Sequence, residues 1–371
     1  MNAYQVIKYI FAAGLLIGGV FYIVREKSRL GEKFKEAFMM AGQMILSIAG
    51  IMTIAPVLAN IIAPVITPFF KLTGADPSVI SIFFGCDMGG YSIAVSLCTS
   101  PEVAKMMGLT AAGMMGSTLI FSIPVGKAML SDEDFKYFSK GMLMGLIAIP
   151  IGSIICGFIQ GLDIKTIFIN NLFLIVVAVL LIIGFKFVPD ALVKGADIFG
   201  KVITKIGLVG LVAGGITYLT GITIIPGMPD VMEAMETVSG MLIVLAGTMP
   251  LLELFSRALK KPLEKLGAGF GLDAVSMSGI LFTLASVIPA FAMMKNMKKR
   301  GIIINGAWST TIVGILGSQI GFVMQEAPDM AAAFLISKIA AGFVAVAIAF
   351  IATSKEYGKK ASQAQERVEG V

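Results

Sequence analysis

Residues 77–97 read Pro-Ser-Val-Ile-Ser-Ile-Phe-Phe-Gly-Cys-Asp-Met-Gly-Gly-Tyr-Ser-Ile-Ala-Val-Ser-Leu. By length this is a membrane span, because about 20 mostly apolar residues cross a bilayer as one helix. Its centre, Gly85-Cys86-Asp87-Met88-Gly89-Gly90, argues against an unbroken one. Glycine pairs and prolines interrupt the backbone ladder, which lipid tolerates only where protein or a wet cavity satisfies the freed groups. A second apolar stretch, 275–297, is interrupted by Ser286-Val287-Ile288-Pro289. Each is either a full kinked span or a re-entrant hairpin of two half-helices.

The rest of the chain sets the context. Of 371 residues only 14% are charged and 57% are hydrophobic; counting glycine and leaving out tyrosine, about two thirds are apolar. A soluble domain has ~45–50% on that count. A chain of this size cannot hide so much apolar surface from water, which excludes a cytosolic enzyme. With no histidine and three cysteines in apolar surroundings, Ser-His-Asp catalysis, the usual zinc sites and a disulfide framework are excluded too. No cofactor or metal is expected. Nine further apolar runs are long enough to cross: 4–24, 38–60, 107–126, 138–160, 167–187, 202–219, 237–259, 302–324 and 330–353. The fold class is an all-α polytopic membrane protein of about nine transmembrane helices with two re-entrant hairpins.

Charge chooses the hairpin option. With nine spans, two hairpins and the N-terminus outside, 24 of the 29 lysines and arginines fall on the cytoplasmic side. Full spans at both broken stretches would move the basic loop 127–140 outside and spoil the asymmetry. The positive-inside bias sets orientation, so the net charge of +6 reflects topology and calls for no nucleic acid. The C-terminus is then cytoplasmic, and the run after Lys8 lacks the small-residue cleavage signature of a signal peptide.

Two halves echo each other at an offset of 197. Ala49-Gly50-Ile51-Met52 pairs with Ala246-Gly247-Thr248-Met249, and Gly74-Ala75-Asp76 with Gly271-Leu272-Asp273. Each half continues with a broken stretch and then a span interrupted near its end, at 121–126 and 317–321. The chain divides into a first transmembrane repeat (1–160, with hairpin 77–97), a linking span (161–190), a second, inverted repeat (191–353, with hairpin 275–297) and a polar cytoplasmic tail (354–371). One unpaired span between the halves makes their senses opposite. Inverted repeats with discontinuous helices recur in secondary transporters, where half-helix ends face a small polar solute. A Walker A pattern is missing from the sequence, which argues against direct ATP energisation.

Asp87 is the most informative side chain. A charge at mid-membrane costs ~2.5–3.5 kcal/mol, so it faces a cavity or a partner. It serves either as counter-ion or proton site, or as a cap of the second half-helix; a capped carboxylate still attracts an ammonium. Cys86, Met88, Gly89 and Gly90 complete that tip, and Ser286 and Pro289 form the opposing one. Ser122, Ser318 and Gln319 mark the two interrupted spans. Tyr91 and Phe121 offer cation–π contact, worth ~0.5–2 kcal/mol. Lys338, the only base within a span, either pairs with Asp87 or Glu253 in gating or coupling, or reaches polar backbone. Asn305, like Asn170 and Asn171, either lines the path or bonds between helices.

Gly-Cys-Asp-Met-Gly-Gly (85–90), Phe-Ser-Ile-Pro-Val (121–125), Ile-Pro-Ile-Gly (149–152) and Ile-Pro-Ala-Phe-Ala-Met-Met-Lys-Asn-Met (288–297) resemble the ethanolamine-utilisation permease family, EutH, over nearly the whole chain. The resemblance implies a bacterial inner-membrane permease that admits ethanolamine, as ethanolammonium, by alternating access. Its partners would be ethanolamine and the lipid bilayer, and the sequence leaves open whether the chain stands alone or forms a homo-oligomer. Two departures stand out: Ser286-Val287 where the family leads one to expect Asn-Asn, and Ser318-Gln319 where it leads one to expect Asp-His. The residues alone leave other readings open. The same architecture would serve another small polar solute, such as a nucleoside or carboxylate, or a non-transporting membrane scaffold.

Overall fold

The computed structural model describes residues 3–85 and 88–369, with the side chains of Leu266, Ala268 and 355–369 outside the description. Among these residues helices joined by short connections make up most of the chain, with no strand. Nine helical stretches are long and apolar enough to cross a membrane, each over one of the nine expected runs. They are α1 (Ala3–Val24), α2 (Arg29–Thr73), α4 (Pro101–Met129), α5 (Asp132–Ile159), α6 (Ile164–Phe187), α7 (Pro189–Thr220), α8 (Val231–Gly269), α11 (Lys299–Glu326) and α12 (Pro328–Ser354). This is a multi-pass membrane protein. Several helices outrun their apolar cores. α2 begins with the amphipathic turns Arg29–Met39, and the last helix continues to Glu369, so the polar segment after residue 353 is helical as far as 369.

Both interrupted stretches form pairs of short helices. The first pair is a 3-10 segment, Pro77–Phe83, and α3 (Gly89–Leu97); the second is α9 (Ala274–Thr283) and α10 (Val287–Met294). Ten helical residues rise ~15 Å, half of a ~30 Å hydrocarbon layer, so no arm is long enough to cross alone. Each pair is clamped at its open end by an aspartate. Asp76 caps the first arm through the Ser78 N–H (2.8 Å) and accepts from Thr99 N–H (2.8 Å), Thr99 Oγ1 (2.5 Å) and Ser100 N–H (2.9 Å) beyond the second arm. Asp273 does the same with Ser276 N–H (2.8 Å) and Lys298 N–H (2.8 Å).

The order and boundaries of the helices repeat along the chain at the same offset of 197. That offset carries α1 onto the second half of α7, α2 onto α8, the first helix pair onto the second, α4 onto α11 and α5 onto α12, leaving α6 unmatched. The packing is reciprocal: α1 lies on α8, and α7 on α2. The sequence echo marks these crossings, since Gly50 abuts the Gly207 backbone and Gly247 abuts the Phe11 backbone. Burial is greatest in the two spans that follow the helix pairs: 94% of the apolar window of α4 and 89% of that of α11 lie inside the protein, against 11% for α1. The other helices wrap this pair.

Candidate functional site

The most buried spans have the least regular helices. α4 widens into π-type turns at Met106–Ala111 and Thr118–Ser122. Pro124 accounts for the second, because it has no N–H for the preceding turn and its ring needs the extra room. The interruption expected at 121–126 is therefore a widened turn in a helix that carries on to Met129. α11 is broken outright. Val313 leaves helical geometry, Gly314 is left-handed (φ 62°) and Gly317 is again non-helical. A side chain at Gly314 would be strained. The turn between α9 and α10 takes up the freed groups: Gly314 N–H donates to the Thr283 carbonyl (3.1 Å) and Leu316 N–H to that of Leu284 (2.8 Å). Non-helical backbone at membrane depth needs such partners.

The first helix pair meets α4 at the equivalent place. Gly85 and Gly116 approach so closely that a methyl on Gly116 would lie 2.4 Å from the Gly85 Cα. Ser117 Oγ donates to the Gly85 carbonyl (3.3 Å). From there a buried polar network runs across the core. Gln319 Nε2 donates to Ser117 Oγ (3.2 Å) and to the Gly113 carbonyl (2.9 Å). Lys338 Nζ, on α12, donates to Gln319 Oε1 and to the same Gly113 carbonyl (3.3 Å), with its ammonium 5.2 Å from the Phe334 ring centre. Lys338 is 0% exposed. Thr118 Oγ1 also bridges the spans, reaching the Thr310 carbonyl (3.4 Å). Carbonyl and amide oxygens facing one ammonium make this a site suited to a primary amine.

Of the expected site residues, Gln319 and Lys338 lie in the network and Met88 forms part of its wall. A methyl on Gly113 would sit 3.3 Å from the Met88 sulfur. Met88 is the one non-glycine with positive φ (76°) among the described residues, and such strain of ~1–3 kcal/mol gathers at ligand sites. Tyr91 on α3 is buried edge-on against Phe322 of α11 (6.2 Å), and Gly89 and Gly90 are buried in the first turn of α3. Ser122 is buried, its hydroxyl without a partner among the described residues. Phe121 is half-buried beside it, and Ser318 is half-buried next to Gln319. Ser286 caps α10 through the Ile288 N–H (3.4 Å), and Pro289 is exposed. Cys86 and Asp87 lie outside the described residues.

One expectation is corrected. Lys338 does not pair with Glu253, which bonds Arg257 (2.7 Å) on its own helix and lies 4.0 Å from Arg29. Glu253 instead lines a cavity of about 250 Å³ and a smaller one reaching Ala285, at the turn of the second helix pair. Asn305 bonds the carbonyls of Ser276 and Gly301 (both 3.0 Å), and Asn170 accepts the Asp76 N–H (2.7 Å), so both tie elements together. Sequence reading missed Gly113, Ser117, Thr118 and Thr310. The available signal was the offset, which pairs Gln319 with Ser122 and Gly113 with Thr310.

These features define a helical, multi-pass membrane protein with a buried polar network between its two irregular inner spans. The chain belongs to the family described as ethanolamine utilisation protein, EutH, whose profile matches residues 3–352. It is 37% identical over 369 residues to the probable ethanolamine permease EutH of Listeria monocytogenes, covering 99% of each chain. It is 36% identical over 361 residues to "Uncharacterized protein YxeR" of Bacillus subtilis, covering 97% of this chain and 98% of that one. The probable ethanolamine permease EutH of Escherichia coli is 33% identical over 351 residues, with 88% of this chain and 86% of that one covered. No solved structure matches.

Proposed function

We propose that this protein is a permease that carries ethanolamine, as ethanolammonium, across the bacterial inner membrane by alternating access of its two halves. The observation that carries the reading is the buried network from Gly85 through Ser117 and Gln319 to Lys338, built of ammonium acceptors where the broken elements meet. The names of the relatives supply the substrate. Four spans in the first half and the unmatched α6 make five crossings. The second half then starts from the opposite face, with its hairpin entering from the cytoplasm and the first from outside. Asp87, between Gly85 and Met88 in sequence, is the proposed counter-ion for the substrate. At neutral pH ethanolamine is mostly cationic and needs one.

The test is uptake of labelled ethanolamine into proteoliposomes holding the purified protein. Saturable uptake is expected for the wild type, and loss of it at low concentration for Asp87→Asn, with the variant still present in the membrane. Undiminished uptake by that variant removes the counter-ion role. A nucleoside or carboxylate that competes better than unlabelled ethanolamine reassigns the cargo.

A further inference from the structure

We propose that the acceptors around Lys338 are the amine subsite of the transport path, and that the lysine ammonium is its tethered occupant, released when a substrate ammonium takes its place. This rests on the permease reading and adds to it the group that fills the site before substrate arrives.

Three observations carry it. The first is shape. Beyond Cβ a lysine carries three carbons and an ammonium, and ethanolammonium is an oxygen, two carbons and an ammonium. The two chains have the same length and end in the same three N–H donors. The second is the nature of the partners. Lys338 is held by the Gln319 amide oxygen, the Gly113 carbonyl and the Phe334 ring, all of them neutral. Among the described residues the acids flanking this core are engaged elsewhere, Asp329 with Lys105 (2.7 Å) and Glu326 with Thr237 (2.7 Å). A second primary ammonium can inherit neutral acceptors, and the charge and hydrogen bonding of the site are then unchanged.

The third observation is the asymmetry of the repeat. The offset of 197 places Gly141 opposite Lys338 and Ser122 opposite Gln319. Gly141 is packed hard against the Ile303 backbone, where no side chain fits. A brace needed to hold the bundle together belongs in both halves. This cage occurs once, with no counterpart at the offset-related positions, and it joins the two halves: the broken turn of α11 on one side and the stretch of α4 between its π turns on the other. Those are the elements that alternating access must part.

The experiment measures thermal unfolding of purified Lys338→Ala and wild type against rising n-propylammonium, ethanolammonium and tetramethylammonium chloride at constant ionic strength. n-Propylammonium is the side chain that the substitution removes. Lys338→Ala is expected to be stabilised saturably by both primary amines at concentrations roughly tenfold or more below those the wild type needs, because the tethered competitor is gone. Tetramethylammonium, which has no N–H, is expected to do nothing. Adding Gln319→Leu is expected to weaken the primary amines roughly tenfold or more, the worth of one hydrogen bond to a charged group. In wild-type proteoliposomes, n-propylammonium is expected to compete with ethanolamine uptake, a response that a purely bracing lysine would not give.

Equal action of all three salts on Lys338→Ala, or equal midpoints in variant and wild type, overturns the proposal. If Lys338→Ala does not fold alone, recovery in n-propylammonium but not tetramethylammonium supports it. No recovery in either, with wild-type ethanolammonium binding unaltered by Gln319→Leu, overturns it. Failure of the ethanolamine reading looks different: n-propylammonium still binds the variant, and ethanolammonium has no effect.

Discussion

A methyl group at Gly141 would lie 1.9 Å from the Ile303 carbonyl oxygen, whereas one at Gly195 meets nothing within 4 Å. Both residues are helical, so the same substitution has opposite consequences. Gly141→Ala forces α5 away from α11 and is expected to cost ~1–3 kcal/mol, the usual range for overpacking. Gly195→Ala is expected to be neutral or to stabilise by up to ~1 kcal/mol through helix propensity. Unfolding midpoints of the two variants in one detergent check this, and equal shifts would contradict it. At this scale the sequence was only partly legible. Lys338 stands out because a base in a span is rare, but its partners Gln319 and Gly113 lie 19 and 225 residues away along the chain. Small residues such as Gly113 and Ser117 look the same whether they pack helices or line a site.

Asp76 and Asp273 close the two helix pairs, and the repeat predicts equivalent roles for them. Their environments differ. Asp76 is 6% exposed and its carboxylate takes four hydrogen bonds, three of them from Thr99 and Ser100; from beyond its second arm Asp273 takes one, from Lys298. An N-cap is worth ~0.5–2 kcal/mol, and each further bond to a charged group ~1.5–3 kcal/mol. Asp76→Ala is therefore expected to lower the unfolding midpoint more than Asp273→Ala, and to impair uptake more. A larger loss for Asp273→Ala would contradict the assignment. Glycine and proline clusters inside apolar runs located both helix pairs and the break in α11. The same cue misjudged α4, where a π turn absorbs Pro124 without ending the helix. The π turn at Met106–Ala111 has no proline within it and left no mark in the sequence. The helical turns before residue 38 and after residue 353 were hidden because polar residues there carry no membrane signal.

For the whole molecule, the offset of 197 was visible in a few short matches, and in the structure it relates spans, helix pairs and their mutual packing. Burial explains why identity is low while architecture persists: a largely exposed helix such as α1 needs only apolar surface, whereas α4 and α11 must also satisfy irregular backbone. The account depends on these halves being inserted in opposite senses, since alternating access of like-oriented halves would need a different set of contacts. The direct measurement places single cysteines at the exposed ends of the two helix pairs, Glu102→Cys and Asn296→Cys, with the three native cysteines replaced by serine. A membrane-impermeant maleimide is then applied to intact cells and to inverted vesicles. Labelling of Glu102→Cys from outside only and of Asn296→Cys from the cytoplasmic side only is the expected result; labelling of both from one face would contradict the opposed halves.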